Sequence, residues 1–466
     1  MNLARPTRTL IRHADGILTG LTGSAARAQG DIAIEDGKIT SIGRIDARDR
    51  DVVIDATGCV IYPGLISTHH HLSQSVLKGV PAGLNAELAE WLLQVPYGFW
   101  RKIDEHSFRI AVEIGMIELL LSGVTTIADH HYIFDPSLAY DPAEILFATA
   151  ARLGPRFVLC RGGATRNTRS DSTGIMQIPA ESCDEMLSSA AALVARYHDP
   201  TPAAMRRIAL APTNLIWSVG PDDIRVLAAG ARSLGIRLHS HLSEAPGDVL
   251  QCLQAHGMRP VEYVGQHGFL GEDVWLAHLI HVDQRELEIL ADTGTAMAHC
   301  PQSNCRLGAG IAPAPRMAAL GGRISLGVDG AGSNESCDMV SEMHTAWQIH
   351  RAICGPQAVT VEDVVSWATA GGATALGIPN TGTIAPGMQA DLAIFELSHL
   401  RYAGLHDRVA GPLMCGGSPQ VRHLLVGGRQ IIRDGSILGT NDADLAKIAA
   451  HVVKNLSTPM VSPSPP

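Results

Sequence analysis

The sequence predicts an α/β protein: a distorted (β/α)8 TIM-like barrel with a small β-sandwich domain built from both chain ends. Three observations carry this. Through the middle of the chain, eight near-continuous apolar runs rich in β-branched residues alternate with helical segments, as strands buried on both faces should. Short strands with tight turns occupy both ends instead. A length of 466 residues also exceeds one ordinary compact core. The expected division is residues 1–62 plus 381–466 for the sandwich and 63–380 for the barrel.

The N-terminal block reads as strands over 10–13, 32–35, 38–43 and 52–55, and Asp36-Gly37 between two alternating runs is a strong hairpin signal. Its counterpart near the other end reads as strands over 390–395, 421–426 and 430–433, punctuated by Gly427-Gly428 and Asp434-Gly435. Pairing the two blocks would bring the chain ends together. Between them, the barrel strands are expected at 61–67, 125–129, 157–161, 208–211, 237–241, 274–278, 296–299 and 324–328. The helical pattern over 107–121, stopped by Gly123, is typical of the segments that alternate with them. A doubly wound sheet is the alternative, because alternation alone does not distinguish the two. The long stretch 73–103 carries Trp91, Phe99 and Trp100, expected to pack a helical excursion on the barrel rim, with a substrate lid as the other reading. The Ser/Pro-rich tail after Ser457 is expected to be disordered.

Composition narrows the function. With 36 basic and 46 acidic residues the net charge is −10, which offers no basic footprint for nucleic acid and none for an anionic membrane surface. Nine cysteines lie without C-x-x-C spacing, and an odd number cannot all pair, which fits a reducing cytoplasm. Residues 1–16 lack the apolar core of a signal peptide, and no run approaches the roughly 18 apolar residues of a membrane span. The expectation is a cytoplasmic protein acting on a small molecule.

The candidate chemistry sits where apolar runs end. Pro63-Gly64-Leu65-Ile66-Ser67-Thr68-His69-His70-His71 closes the first strand; in an extended chain His69 and His71 face one way and His70 the other. The fifth strand ends in Leu238-His239-Ser240-His241-Leu242-Ser243-Glu244, the sixth in His278, and the eighth in Asp329-Gly330. Taken singly, each is as well explained as a core histidine or a turn. Together, imidazoles and a carboxylate at four strand ends of one barrel converge on its mouth and make a first shell for one transition metal, with room for water.

These residues resemble the amidohydrolase superfamily, in its aminohydrolase branch acting on heterocycles. The resemblance covers most of the chain: 63–71, 123–131, 239–244, Ala277-His278, His299-Cys300-Pro301-Gln302-Ser303-Asn304, 307–313, 327–334 and 387–393. It implies that His69, His71, His241 and Asp329 hold one divalent metal, zinc with iron as the alternative. It also implies that Glu244 protonates a ring nitrogen, that Asp329 moves the water's proton, and that His278 orients the developing oxyanion. Binuclear relatives carry a bridging Lys at the end of the fourth strand; here Ala211-Pro212-Thr213-Asn214 stands there, so one metal is expected. Cytidine-type deaminases use a Pro-Cys-x-x-Cys ligand strand, which is absent at the matching place.

Specificity is expected in rim residues. Gln74 and Arg161 are the substrate-binding candidates, with Thr213-Asn214 beside them, since an amide and a guanidinium offer planar donors to a ring bearing carbonyls. For Arg161 a rim ion pair is the equal alternative. The Arg161-Gly162-Gly163-Ala164-Thr165 run and the stretch from Ser333 to Met339 look most like the isoxanthopterin and pterin deaminases, with 8-oxoguanine deaminases close behind. Triazine hydrolysis and an amide hydrolase of the dihydropyrimidinase kind are further alternatives. A metal-stabilised binding protein is the non-enzyme reading, opposed by the joint presence of Glu244 and His278. The resemblance also implies a homo-oligomer.

Overall fold

The computed structural model describes residues 8–166 and 178–457; the tail after Ser457 and the start of the 1–16 segment therefore lie outside the described residues. Eight strands form one parallel sheet: β1 (Leu65–Ser67), β2 (Val124–His131), β3 (Arg156–Gly163), β4 (Arg206–Pro212), β5 (Arg237–Leu242), β6 (Val274–His278), β7 (Ala296–His299) and β8 (Ile324–Leu326). They stand in sequence order around the barrel. The seam between β8 and β1 is held not by a full ladder but by Thr68, whose N–H and hydroxyl both donate to the Leu326 carbonyl, at 3.0 and 2.8 Å. Every residue of β2, β3, β6, β7 and β8 is buried, which is why these strands read as unbroken apolar runs.

The run expected as one strand over 61–67 is two. Cys59–Pro63 pairs antiparallel with Leu392–Glu396 in a seven-stranded sheet that contains strands from both chain ends, and only Leu65–Ser67 enters the barrel. The switch falls at Gly64, whose N–H bonds to the Asp391 carbonyl at 2.8 Å; a Cβ there would sit 2.1 Å from Thr125 Oγ1. Only glycine lets the chain pass between the sheets at that point. A second sheet of four strands, all from residues 9–55, faces the first across a core of isoleucines such as Ile11, Ile32, Ile54, Ile61 and Ile394.

Helices cover the outside of the barrel. Glu105–Leu121 begins at Asp104, whose carboxylate accepts the Ser107 N–H at 2.8 Å. The C-terminal region, expected as part of the sandwich, instead ends in a fifteen-residue helix, Asp442–Leu456, which packs back on Glu105–Leu121. Its signal was available: Leu445, Ala449, Val452 and Leu456 recur at helical spacing after the N-cap Asn441. No helix among the described residues is long and apolar enough to cross a membrane.

Candidate active site

The strand ends meet at one mouth. His69 Nε2 and His71 Nε2 each lie 3.4 Å from Asp329 Oδ1, and His71 Nε2 lies 3.2 Å from His241 Nε2. All four residues are buried. His278 Nε2 stands 3.5 Å from Glu244 Oε1 at the edge of this group. Thus the structure brings together His69, His71, His241, His278, Glu244 and Asp329, six residues spread over 261 positions of chain from 69 to 329.

Hydrogen-bond accounting fixes the imidazole tautomers. A carbonyl can only accept, so His71 donates from Nδ1 to the His130 carbonyl at 2.7 Å, and His241 donates from Nδ1 to the Thr213 carbonyl at 2.6 Å. His69 is fixed through an intermediary. His239 donates from Nδ1 to the Trp275 carbonyl at 2.9 Å, so its Nε2 accepts, at 2.8 Å, the Nδ1–H of His69. Burial holds His69 and His239 well below the usual imidazole pKa and His71 down at about 3, so these rings are neutral. The outcome is three Nε2 lone pairs directed at a common point.

Asp329 complements them. Its Oδ2 accepts from Ser303 Oγ at 2.6 Å and its Oδ1 from the Gly330 N–H at 2.7 Å, which fixes the carboxylate plane while leaving Oδ1 open towards the histidines. The backbone is forced to achieve this: Asp329 has φ +58° and His278 +72°, left-handed values that non-glycine residues seldom adopt. His278 Nδ1 meets the Asn304 side-chain amide at 3.0 Å, which orients the ring and leaves Nε2 for the site. Glu244 is buried, and that burial pushes its carboxyl up to about 8, so it is protonated at neutral pH.

Two substrate-binding candidates part company here. Gln74 lines the cavity over the cluster and donates from Nε2 to Tyr132 Oη at 3.4 Å, its Oε1 lacking a partner. Arg161 does not line that cavity. Its guanidinium clasps both oxygens of Glu181 at 2.5 and 2.6 Å and lies over the Phe134 ring, the rim ion pair of the alternative reading. A side chain so engaged has no donors left for a ring inside the mouth.

Several site residues had no role in the sequence reading. Tyr97 and Tyr132 line the cavity, and His130 joins His69, His71 and His241 in a cluster whose ligand atoms all lie within 4.8 Å of one another. His130 carried the same signal as its neighbours, standing at the end of an apolar strand. The roof is the helix Leu88–Gln94, where buried Trp91 donates to the Gly332 carbonyl at 3.1 Å and faces the cavity. The space beneath is about 60 Å³, enough for water but not for a two-ring heterocycle. Ring entry therefore requires this roof to shift.

With this geometry, the chain belongs to the amidohydrolase family, whose model matches residues 60–431. It is an enzyme of the deaminase branch, a hydrolase acting on carbon–nitrogen bonds. An isoxanthopterin deaminase from an unidentified prokaryote is 44% identical over 96% of this chain and 97% of its own. An 8-oxoguanine deaminase from Pseudomonas aeruginosa is 36% identical over 96% and 98%. Among solved structures, an amidohydrolase from a Sargasso Sea environmental sample superposes with a TM-score of 0.85 at 42% identity, covering 96% of this chain and 98% of that one. The atrazine chlorohydrolase of Arthrobacter aurescens TC1, complexed with zinc, superposes with a TM-score of 0.88 at 28% identity, covering 96% and 100%.

Proposed function

We propose that this enzyme hydrolytically deaminates a 2-amino-4-oxo bicyclic ring, an isoxanthopterin-like pterin in the first place, using one zinc ion held by His69, His71, His241 and Asp329. One observation carries the metal. His71 and His241 have spent their only protons on backbone carbonyls, so their Nε2 atoms are both acceptors, yet they face each other at 3.2 Å. Two lone pairs so close are held favourably by a shared cation. The separations of 3.2 and 3.4 Å also match the roughly 3.3 Å edge of a tetrahedron with metal–ligand bonds of about 2.05 Å. The likeness to an isoxanthopterin deaminase supports the pterin; the likeness to an 8-oxoguanine deaminase makes that purine the second reading.

A cation bound there supplies Lewis acidity that makes water a nucleophile at neutral pH. This chain's residues do the rest. Asp329 accepts the proton that water gives up as its oxygen bonds to the ring carbon bearing the amine. Glu244, protonated by virtue of its burial, gives its proton to the adjacent ring nitrogen. His278 holds its Nε2 at the developing oxyanion, steadied from behind by Asn304. The carbon–nitrogen bond then breaks, the amine leaves as ammonia with the proton relayed through Asp329, and the ring keeps a carbonyl. Gln74 and Tyr132 address the ring edge from one wall.

The test is ammonia release by the zinc-loaded enzyme from isoxanthopterin, pterin, 8-oxoguanine, guanine, cytosine and amino-triazines. The expected order of kcat/KM puts isoxanthopterin first and 8-oxoguanine second. Release from cytosine or a triazine with none from either bicyclic ring would overturn the substrate assignment.

A further inference from the structure

The 3-10 turn Leu72–Val76, directly after His71, has two faces. Gln74 faces the cavity over the cluster, whereas Ser75 and Val76 floor a separate outer cleft of about 370 Å³ between the helices Glu105–Leu121 and Asp442–Leu456. The walls of the cleft are apolar, including Ile114, Ile117, Leu121, Leu445, Ala449 and Val453. Its floor is not. Ser75 is only 4% exposed and its Oγ has no hydrogen-bond partner, and beside it Glu118 binds Lys78 through Oε1 while Oε2 is buried without a partner. The floor exists because the helix approaches at Gly115; a Cβ there would lie 2.5 Å from Ser75 Oγ and close the cleft from below.

We propose that this cleft is a second small-molecule site, which takes an uncharged amphipathic ligand with an apolar body and one hydroxyl or amide end. The apolar walls select the body. The two unpartnered oxygens select the end: Glu118 Oε2 accepts a hydrogen bond, and Ser75 Oγ gives or receives one. Lys78 already balances Glu118, so a charged ligand would bring an uncompensated charge into an apolar cleft. A small molecule fits better than a protein face because the polar atoms lie on the buried floor, and the volume is at the lower end of ligand pockets, about 300 to 1,000 Å³. This site is independent of the substrate reading, and its test involves no turnover.

The experiment is calorimetric titration of the full-length protein with n-alkanols from butanol to decanol and with the methyl ethers of matching length. One saturable site is expected, with affinity rising about fourfold per methylene until the cleft is full. Alcohols should bind about fivefold better than ethers, and Ser75→Ala should erase that preference. Ala449→Trp, which fills the cleft from its outer wall, should weaken binding at least tenfold with the melting temperature unchanged; if that variant fails to fold, the Ser75→Ala comparison decides alone. The proposal fails if no saturable binding occurs, if Ser75→Ala keeps the preference, or if Ala449→Trp binds as the parent does. It also fails if Ala449→Trp lowers the particle mass by light scattering, because the cleft would then be an interface between copies.

Discussion

At the start of β3, Arg156 is 1% exposed and its guanidinium is saturated: Nε and Nη2 clasp Asp391 at 2.7 and 3.0 Å, and Nη1 donates to the Ala203 carbonyl at 2.7 Å. At the other end of the same barrel, His69 and His278 are as deeply buried, yet the Nε2 of each lacks a hydrogen-bond partner. Both clusters are polar groups taken out of water at a cost. The Arg156 cluster offsets that cost internally and ties β3 to the strand Leu392–Glu396 region of the other sheet, a structural task. The histidine cluster leaves its valences open at one point and bends the backbone at His278 and Asp329 to do so, which makes sense only if something else completes it.

Substitutions should separate the two ends cleanly. Arg156→Met strands the buried Asp391 charge and should cost about 3 to 5 kcal/mol of stability while sparing metal content, read by denaturant melts and elemental analysis. A loss of zinc with no loss of stability would blur the distinction. Glu244→Gln should do the opposite: unchanged melting and retained metal, with kcat lower by about a hundredfold or more because the amide has no proton to give. The parent's kcat/KM should hold level below pH of about 8 and fall above it, since rising pH removes the proton that Glu244 must deliver. A profile that rises through that range would assign Glu244 the role of base instead.

His239 lies between the two behaviours, touching no substrate but setting which nitrogen of His69 is free. His239→Phe should weaken zinc about 10- to 100-fold in competition with a chelator, by analogy with other groups that orient metal ligands. Equal affinity would show that packing alone fixes His69. Arg161→Met should have the smallest effect on the site, leaving KM for one-ring and two-ring substrates alike while costing about 1 to 2 kcal/mol of stability through the lost Glu181 pair. A selective rise in KM for bicyclic rings would return Arg161 to the substrate.

The same contrast explains what could be read from the chain alone. His69, His71, His241, His278 and Asp329 were legible because barrel strands present their ends to one mouth, so position in an apolar run already places a side chain. Arg161 ends such a strand too, but its partner Glu181 lies 20 residues on in an irregular segment, where no period predicts proximity. The break at Gly64 was hidden because strands of two different sheets follow each other with the same apolar composition, and only the close approach of Thr125 marks the border. His130 was passed over despite its strand-end place, since its role depends on which ring nitrogen is occupied: Nε2 donates to the Ala211 carbonyl at 2.8 Å and Nδ1 is left without a partner.

The claim on which the rest depends is that the open valences at the mouth belong to a single metal. Elemental analysis of the protein expressed with zinc and iron both supplied, set beside the His71→Gln, His241→Gln double variant, tests it most directly. The account predicts about one equivalent per chain in the parent and none in the double variant, with the Arg156 cluster and the melting profile of the sandwich sheets intact. Two tightly held equivalents, or a parent that holds none, would contradict it.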